Sequence, residues 1–195
     1  SHYDGATSTA EAVITAINVH RMRRKKVVMD RFVHPEYRNV VRTYTQGMGL
    51  EIVENEGPGR EAAGRKAAEL LDKETACLIV QYPDFLGQFE DLTHLGEACQ
   101  EVGALLIVVT DPIALALLKP PSAFGADIVT GDGQGLGLGL SFGGPYLGYF
   151  AADKKHVRKI AGRLVGQTED AEGERGFVLT LSTRSEERRV GKECA

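Results

Sequence analysis

Two rhythms of apolar and polar residues alternate along this chain. Short apolar-rich runs fall at 26–30, 50–53, 76–80, 104–109 and 127–130. Between them, apolar residues recur three and four apart: Ala12, Val13, Ala16, Ile17 with His20; Tyr37, Val40, Val41, Tyr44; Ala63, Ala67, Leu70, Leu71; Leu92, Leu95, Ala98, Cys99. The first rhythm predicts strands apolar on both faces and the second predicts helices with one apolar stripe. Strand alternating with helix predicts an α/β fold: a doubly wound, mostly parallel sheet with right-handed crossovers. A strand at 146–151, a helix at 153–160 and a hairpin-like excursion follow, the last made of 163–167, a polar turn at 170–175, and 177–181. Residues 185–195 are charged and show no period.

Punctuation sharpens this outline. Ser8 with Glu11 reads as a capping box, so residues 3–7 form a loop feeding a helix N-terminus, an end that offers backbone N–H groups to an anion. His34 stands where an N-cap belongs, before Pro35 at the first helical position. The basic run 21–26 falls at the end of the first helix, where cations complement the dipole. Gly57-Pro58-Gly59 marks a surface loop. Between 125 and 148 lies the least ordinary stretch: a short strand runs into Gly131, Gly133, Gly135, Gly137 and Gly139, and Gly143-Gly144-Pro145 precedes the next strand. Glycine at such density suits a place where a ligand or another backbone comes close.

Composition narrows the function classes. At 195 residues and 43% hydrophobic the chain can bury one core, and starting at Ser1 it looks like an excerpt. A net charge of −4 argues against a nucleic-acid surface, and no apolar run approaches the length of a membrane span. Cys77, Cys99 and Cys194 are widely spaced and form no Cys-x-x-Cys pair, which with the lack of a signal peptide points to a cytoplasmic protein with reduced thiols. The alternate glycines fit neither Gly-x-Gly-x-x-Gly nor a nucleotide P-loop. The histidines lack metal-ligand spacing, and Ser141 lacks a nucleophile elbow.

Ligands of doubly wound sheets sit beyond the carboxyl ends of the strands. Tyr82 to Asp84, Asp111 and Thr130 to Gln134 all map there. Asp111 reads either as an acid, base or charge partner, or as a strand-exit residue capping the turn before Pro112. Spacing and composition name no reaction.

The motifs themselves are more specific. Tyr3-Asp4-Gly5-Ala6-Thr7 with Ala10-Glu11-Ala12, Val33-His34-Pro35-Glu36-Tyr37-Arg38, Phe85-Leu86-Gly87 with Glu90-Asp91-Leu92, Leu118-Lys119-Pro120-Pro121, Gly125-Ala126-Asp127-Ile128, Gly131-Asp132-Gly133-Gln134, Ser141-Phe142-Gly143-Gly144-Pro145 and Arg175-Gly176-Phe177-Val178-Leu179 follow one another in order. Together they resemble the glycine cleavage system P-protein family, and within it subunit 1 of the two-subunit form. The resemblance covers residues 1–184 and implies part of the large domain of a fold type I pyridoxal-phosphate-dependent transferase. It also implies an activity: glycine is decarboxylated and its aminomethyl group passes to the lipoyl arm of the H-protein. In such enzymes a lysine following the strand at 127–130 holds the cofactor, but no Lys lies between Lys119 and Lys154. The resemblance therefore implies that pyridoxal phosphate is bound mainly by a lysine-bearing partner, P-protein subunit 2. No catalytic residue is assigned to this chain. Tyr3, Asp4, Thr7, His34, Asp111, Asp132, Gln134 and Ser141 are its candidates for facing the active site.

Departures from the family pattern are Gly135, Gly139 and Ala161, where Ser, Pro and Pro are usual, and the segment 185–195, read as a non-family tail. The N-terminal segment and C-terminal small domain of the family are absent, so the excerpt alone is expected to be inactive. Two other readings stand beside the enzymatic one. One is a structural or docking subunit that closes the partner's site. The other is an independent pyridoxal-phosphate enzyme with its lysine outside the excerpt.

Overall fold

In the computed structural model, residues 2–55, 63–144, 146–160 and 162–180 are described. The chain divides into two units, residues 1–160 and 161–195. The first is built on a six-stranded sheet in the order β2-β1-β3-β4-β5-β6, formed by β1 (Lys26–Met29), β2 (Glu51–Glu54), β3 (Thr75–Tyr82), β4 (Leu105–Thr110), β5 (Ile128–Asp132) and β6 (Gly148–Ala152). All neighbours pair in parallel except β6, which runs antiparallel to β5 at the sheet edge.

β3 and β4 are continuous apolar runs because helices cover both of their faces. Alternate side chains separate into two cores. On one face Val27, Met29, Ile79, Ile107 and Ile128 meet Val13, Ala16 and Ile17 of α1 (Gly5–Val19) and Val41 of α2 (Pro35–Thr45). On the other, Val28, Leu78, Val80, Leu106 and Val108 meet Ala67 of α3 (Ala63–Glu69) and Leu95 and Cys99 of α4 (Thr93–Val102). Leu78, Ile79, Leu106 and Ile107 are fully buried, each contributing about 1.5–3 kcal/mol. Because α1 runs against the strands, its N-terminus returns to their carboxyl ends.

Three local expectations change. The first helix begins at Gly5, with Asp4 as N-cap: its side chain accepts from Thr7 N–H at 2.7 Å and Thr7 Oγ1 accepts from Asp4 N–H at 3.1 Å. Residues 5–7 are thus helix rather than loop, and Ser8 is a buried anchor that donates to the Tyr149 carbonyl. Asp and Thr at this spacing make the same reciprocal cap as Ser and Glu, four residues earlier. The basic run 21–26 lies beyond the end of α1. Its Arg24 guanidinium instead donates at 2.9 Å to the carbonyls of Thr75, Val102 and Gly103, so it serves the C-terminus of α4. Residues Lys154–Lys159 form a 3-10 helix, capped by Asp153.

In the second unit, β7 (Leu164–Glu169) and β8 (Arg175–Thr180) make an antiparallel hairpin. Asp170 Oδ1 accepts from the Glu172 and Glu174 amides, and Gly173 takes φ +83°, closing the expected turn. The loop expected around 57–59 and the segment 185–195 lie outside the described residues. Among the described residues no helix is long and apolar enough to cross a membrane.

Candidate functional site at the carboxyl edge of the sheet

The site is built where the start of α1 sits directly on the end of β5. Gly5 permits this contact, since a Cβ there would stand 2.8 Å from the Asp132 nitrogen and 2.2 Å from the Tyr37 hydroxyl. Asp132, the last residue of β5, accepts from Gly5 N–H through Oδ2 at 3.3 Å and from Gln134 N–H through Oδ1 at 2.8 Å. Deeper in, Thr9 Oγ1 donates to the Gly5 carbonyl at 2.8 Å and meets Thr130 Oγ1 at 2.9 Å. Helix and strand are thereby locked together through buried hydroxyls.

Tyr3, Asp4, Thr7, Asp132 and Gln134 come together around this junction. Tyr3 is 60% exposed and its hydroxyl lies beside Gly144. Asp111 follows β4, is exposed, and accepts from Ile113 N–H at 2.9 Å, the turn-capping arrangement. His34 caps α2 by accepting from Glu36 N–H at Nδ1, and its ring stands edge-on to Phe85 with centroids 4.7 Å apart. Ser141 sits apart, exposed on the loop before β6 with φ +42°.

Two tyrosines that sequence reasoning placed only as inward-facing or strand residues tie these pieces together. Tyr37 of α2 stacks at a tilt on His34 and reaches Gly5 with its hydroxyl. Tyr149 of β6 crosses over Gly131 to donate to the Thr110 carbonyl at 2.7 Å. Gly131 pairs with Tyr149 across the strands, and a Cβ on it would stand 2.1 Å from that carbonyl. A glycine opposite a tyrosine on adjacent strands was the available signal, and its meaning depended on the pairing register. Burial raises both phenols, and Asp132 and Asp4 add to this at Tyr37 as Asp111 does at Tyr149. Both stay neutral hydroxyls, and that of Tyr149 is the donor to Thr110.

Beyond β1 and β3, a cavity of about 240 Å³ is lined by Asp30, Gln81, Tyr82, Asp84 and Glu90. Burial raises the Asp30 carboxyl, against hydrogen bonds from Phe32 N–H and Asn55. A larger cavity, about 900 Å³, lies elsewhere, between α4 and the β5–β6 face. On its wall Lys155 and His156 both meet Asp127 Oδ1, at 2.7 and 3.3 Å, while Oδ2 accepts from Leu106 N–H. The carboxyl edge therefore remains the candidate site. No group of described His, Cys, Asp and Glu residues is arranged to hold a metal ion. Burial pushes Cys99 up to about 12 and raises Cys77, which makes both thiols unreactive.

The mostly parallel α/β sheet, with its loops and helix start gathered at the carboxyl edge, has the fold of the fold type I pyridoxal-phosphate-dependent family, as its likeness to solved structures shows. The chain belongs to the glycine cleavage system P-protein family, whose profile matches residues 1–194. It is 51% identical over 190 residues to a probable glycine dehydrogenase (decarboxylating) subunit 1 of Sphingopyxis alaskensis, covering 95% of this chain and 41% of that protein. It is likewise 51% identical over 195 residues to the subunit 1 of Desulforamulus reducens, covering 98% and 43%. Among solved structures it resembles a glycine decarboxylase P-protein in inhibitor-bound form, with TM-score 0.81 and 43% identity over 98% of this chain and 43% of that one. A cystathione gamma lyase of Micromonospora echinospora shares the fold, with TM-score 0.58 at 17% identity. The chain spans about two fifths of the length of the curated relatives it matches.

The described residues at this junction do not form an open anion site. An anion would use the free N–H groups and positive end of a helix, yet here the Asp132 and Asp4 carboxylates already accept from Gly5 and Thr7. A phosphate at that place would meet two negative charges. No lysine between Lys119 and Lys154 is available for a covalent link.

Proposed function

We propose that this chain is part of subunit 1 of a two-chain glycine decarboxylase of the glycine cleavage system. The complex removes the carboxyl group of glycine as CO2 and passes the aminomethyl group to the lipoyl arm of the H-protein. Pyridoxal phosphate and its lysine come from subunit 2. The observation that carries this reading is the carboxyl edge itself: a P-protein site whose helix N-terminus is closed by the chain's own carboxylates and whose loop has no lysine. Beside it, Leu136, Leu138, Leu140 and Phe142 expose apolar side chains on the glycine loop. Exposed apolar residues grouped on one loop suit contact with a second chain. In this arrangement the chain excludes water from the partner's site and presents neutral hydroxyls, not a nucleophile.

The test is reconstitution of the complete subunits. Exchange of CO2 with the glycine carboxyl is expected from the mixture and from neither chain alone; full exchange by subunit 2 alone overturns the proposal. A second reading, a structural or docking subunit that never touches substrate, is favoured by Asp4, Asp111 and Asp132 all being engaged by backbone N–H groups. Substituting Tyr3, Asp111 and Gln134 in the complete subunit separates the two. Unchanged turnover with intact assembly supports the structural role, and lowered turnover with intact assembly supports participation at the site. If the isolated full-length chain binds the cofactor in a form trapped by borohydride, both readings fail in favour of an independent enzyme.

A further inference from the structure

The cavity beyond β1 and β3 is separate from the junction of α1 and β5. Its apolar floor, which includes Val80 and Leu95, belongs to the core under α4, whereas α1 covers the opposite face of the sheet. Alternation along β1 sends Val27 and Met29 to the α1 core and Val28 to the α4 core. Asp30, the next residue but one, follows Val28 toward the cavity. The volume of about 240 Å³ is below the roughly 300–1,000 Å³ of sites for drug-sized ligands. It suits an occupant of a few heavy atoms.

Three carboxylates and three aromatic rings share the wall: Asp30, Asp84 and Glu90 with Phe32, Tyr82 and Phe89. No Lys, Arg or His is among the described lining residues. Two of the carboxylates are fixed by the backbone. Asp30, only 7% exposed, accepts at Oδ1 from Phe32 N–H at 2.9 Å, and Asp84 accepts at Oδ1 from Leu86 and Gln88 N–H, both at 2.8 Å. Burial raises the Asp30 carboxyl, and the charges of Glu90 and Asp84 raise it further. A cation entering the cavity would relieve a repulsion already present. Aromatic faces attract the same charge, and one ring here already does so: the Arg31 guanidinium stands 4.6 Å from the Phe32 ring centroid.

These features exclude two kinds of occupant. A metal ion needs several oxygens converging on one point, and no group of described His, Cys, Asp and Glu residues does so. An amino acid would bring its own carboxylate against three others. A cation that donates no hydrogen bond fits better, because Asp30 Oδ1 and Asp84 Oδ1 already accept from the backbone while their charge remains. We propose that this cavity binds a small methylated ammonium ion, with Asp30, Asp84 and Glu90 supplying the opposite charge and Phe32, Tyr82 and Phe89 the ring surface around the methyl groups.

Calorimetric titration of the full-length chain with choline chloride tests this, beside the uncharged isostere in which carbon replaces the quaternary nitrogen. Choline should bind at least about 10-fold more tightly than the isostere, since charge attraction and cation–π contact act on it alone. Glu90 and Phe89 are exposed, so Glu90→Gln and Phe89→Leu should leave the urea midpoint unchanged. Each should weaken choline about fivefold. Absence of choline binding overturns the proposal, and equal affinity for the two probes does so by reducing the cavity to an apolar hollow. Choline binding that neither substitution changes places the ion elsewhere, and displacement by calcium chloride at constant ionic strength assigns the carboxylates to a metal; either result also overturns it. The readout is binding rather than CO2 exchange, so failure here leaves the reading of the chain as part of subunit 1 untouched.

Discussion

Gly131 shows how one missing side chain sets the geometry of this edge. Tyr149 passes over it to reach the Thr110 carbonyl, which is buried and has no other described side-chain donor than Tyr149. In Gly131→Ala the new methyl would press on a backbone carbonyl that cannot move aside. The expected cost is about 2–3 kcal/mol, measured as a lowered urea midpoint. His20 makes a prediction about pH. Its Nε2–H donates to the Ala76 carbonyl at 3.1 Å, and burial, helped by Arg24, holds the ring below the ordinary imidazole value of 6.5. The folded state therefore takes up a proton less readily than the unfolded one. Stability is present above pH 6.5 and declines as the pH falls from there toward the depressed folded value. His20→Gln, which can keep the bond to Ala76, should lose less stability between pH 7 and pH 5 than the wild type in parallel urea titrations.

At the scale of elements, the helix ends carry most of the surprises. α4 has no basic residue in its last turn, and Arg24 supplies the cation from the connection between α1 and β1 while also holding Thr75 at the start of β3. One guanidinium therefore joins three elements. Arg24→Ala should destabilise the unit by about 1–3 kcal/mol, because a charged hydrogen-bond donor to three carbonyls is lost; Arg24→Lys, with a single ammonium and no planar fork, should recover only part of it. Differential unfolding of the two variants measures this. The strands were readable because β3 and β4 are apolar at nearly every position, and α2 because His34-Pro35 is a local start signal. The first cap was misplaced because Ser8-x-x-Glu11 and Asp4-x-x-Thr7 are both plausible local boxes. The choice fell to Gly5, whose lack of a side chain lets the helix start on β5.

For the whole molecule, the carboxyl edge concentrates Asp4, Asp111 and Asp132 beside an apolar loop whose Phe142 is fully exposed. If that loop meets subunit 2, Leu140→Ser with Phe142→Ser in the full-length subunit should weaken association roughly 30-fold, as loss of an interface anchor does. The unfolding free energy should stay within about 0.5 kcal/mol of wild type, because neither side chain is packed in this unit. Association measured by analytical ultracentrifugation against the wild-type pair decides the point, and unchanged affinity removes the loop from the interface.

The sequence by itself determined the alternation of strands and helices, the parallel class of the sheet, the family, and the absence of a lysine from the glycine-rich loop. All of these rest on local pattern or on motifs read in order along the chain. Only the tertiary structure decided that the start of α1 is closed onto the end of β5 and that β6 reaches back over it to β4. Asp132 reaches back to Gly5 across 127 positions of sequence, and Tyr149 bridges 39 positions to Thr110. Such contacts follow from the strand order β4-β5-β6 and from α1 returning to the carboxyl edge, and no periodicity within a single segment encodes them.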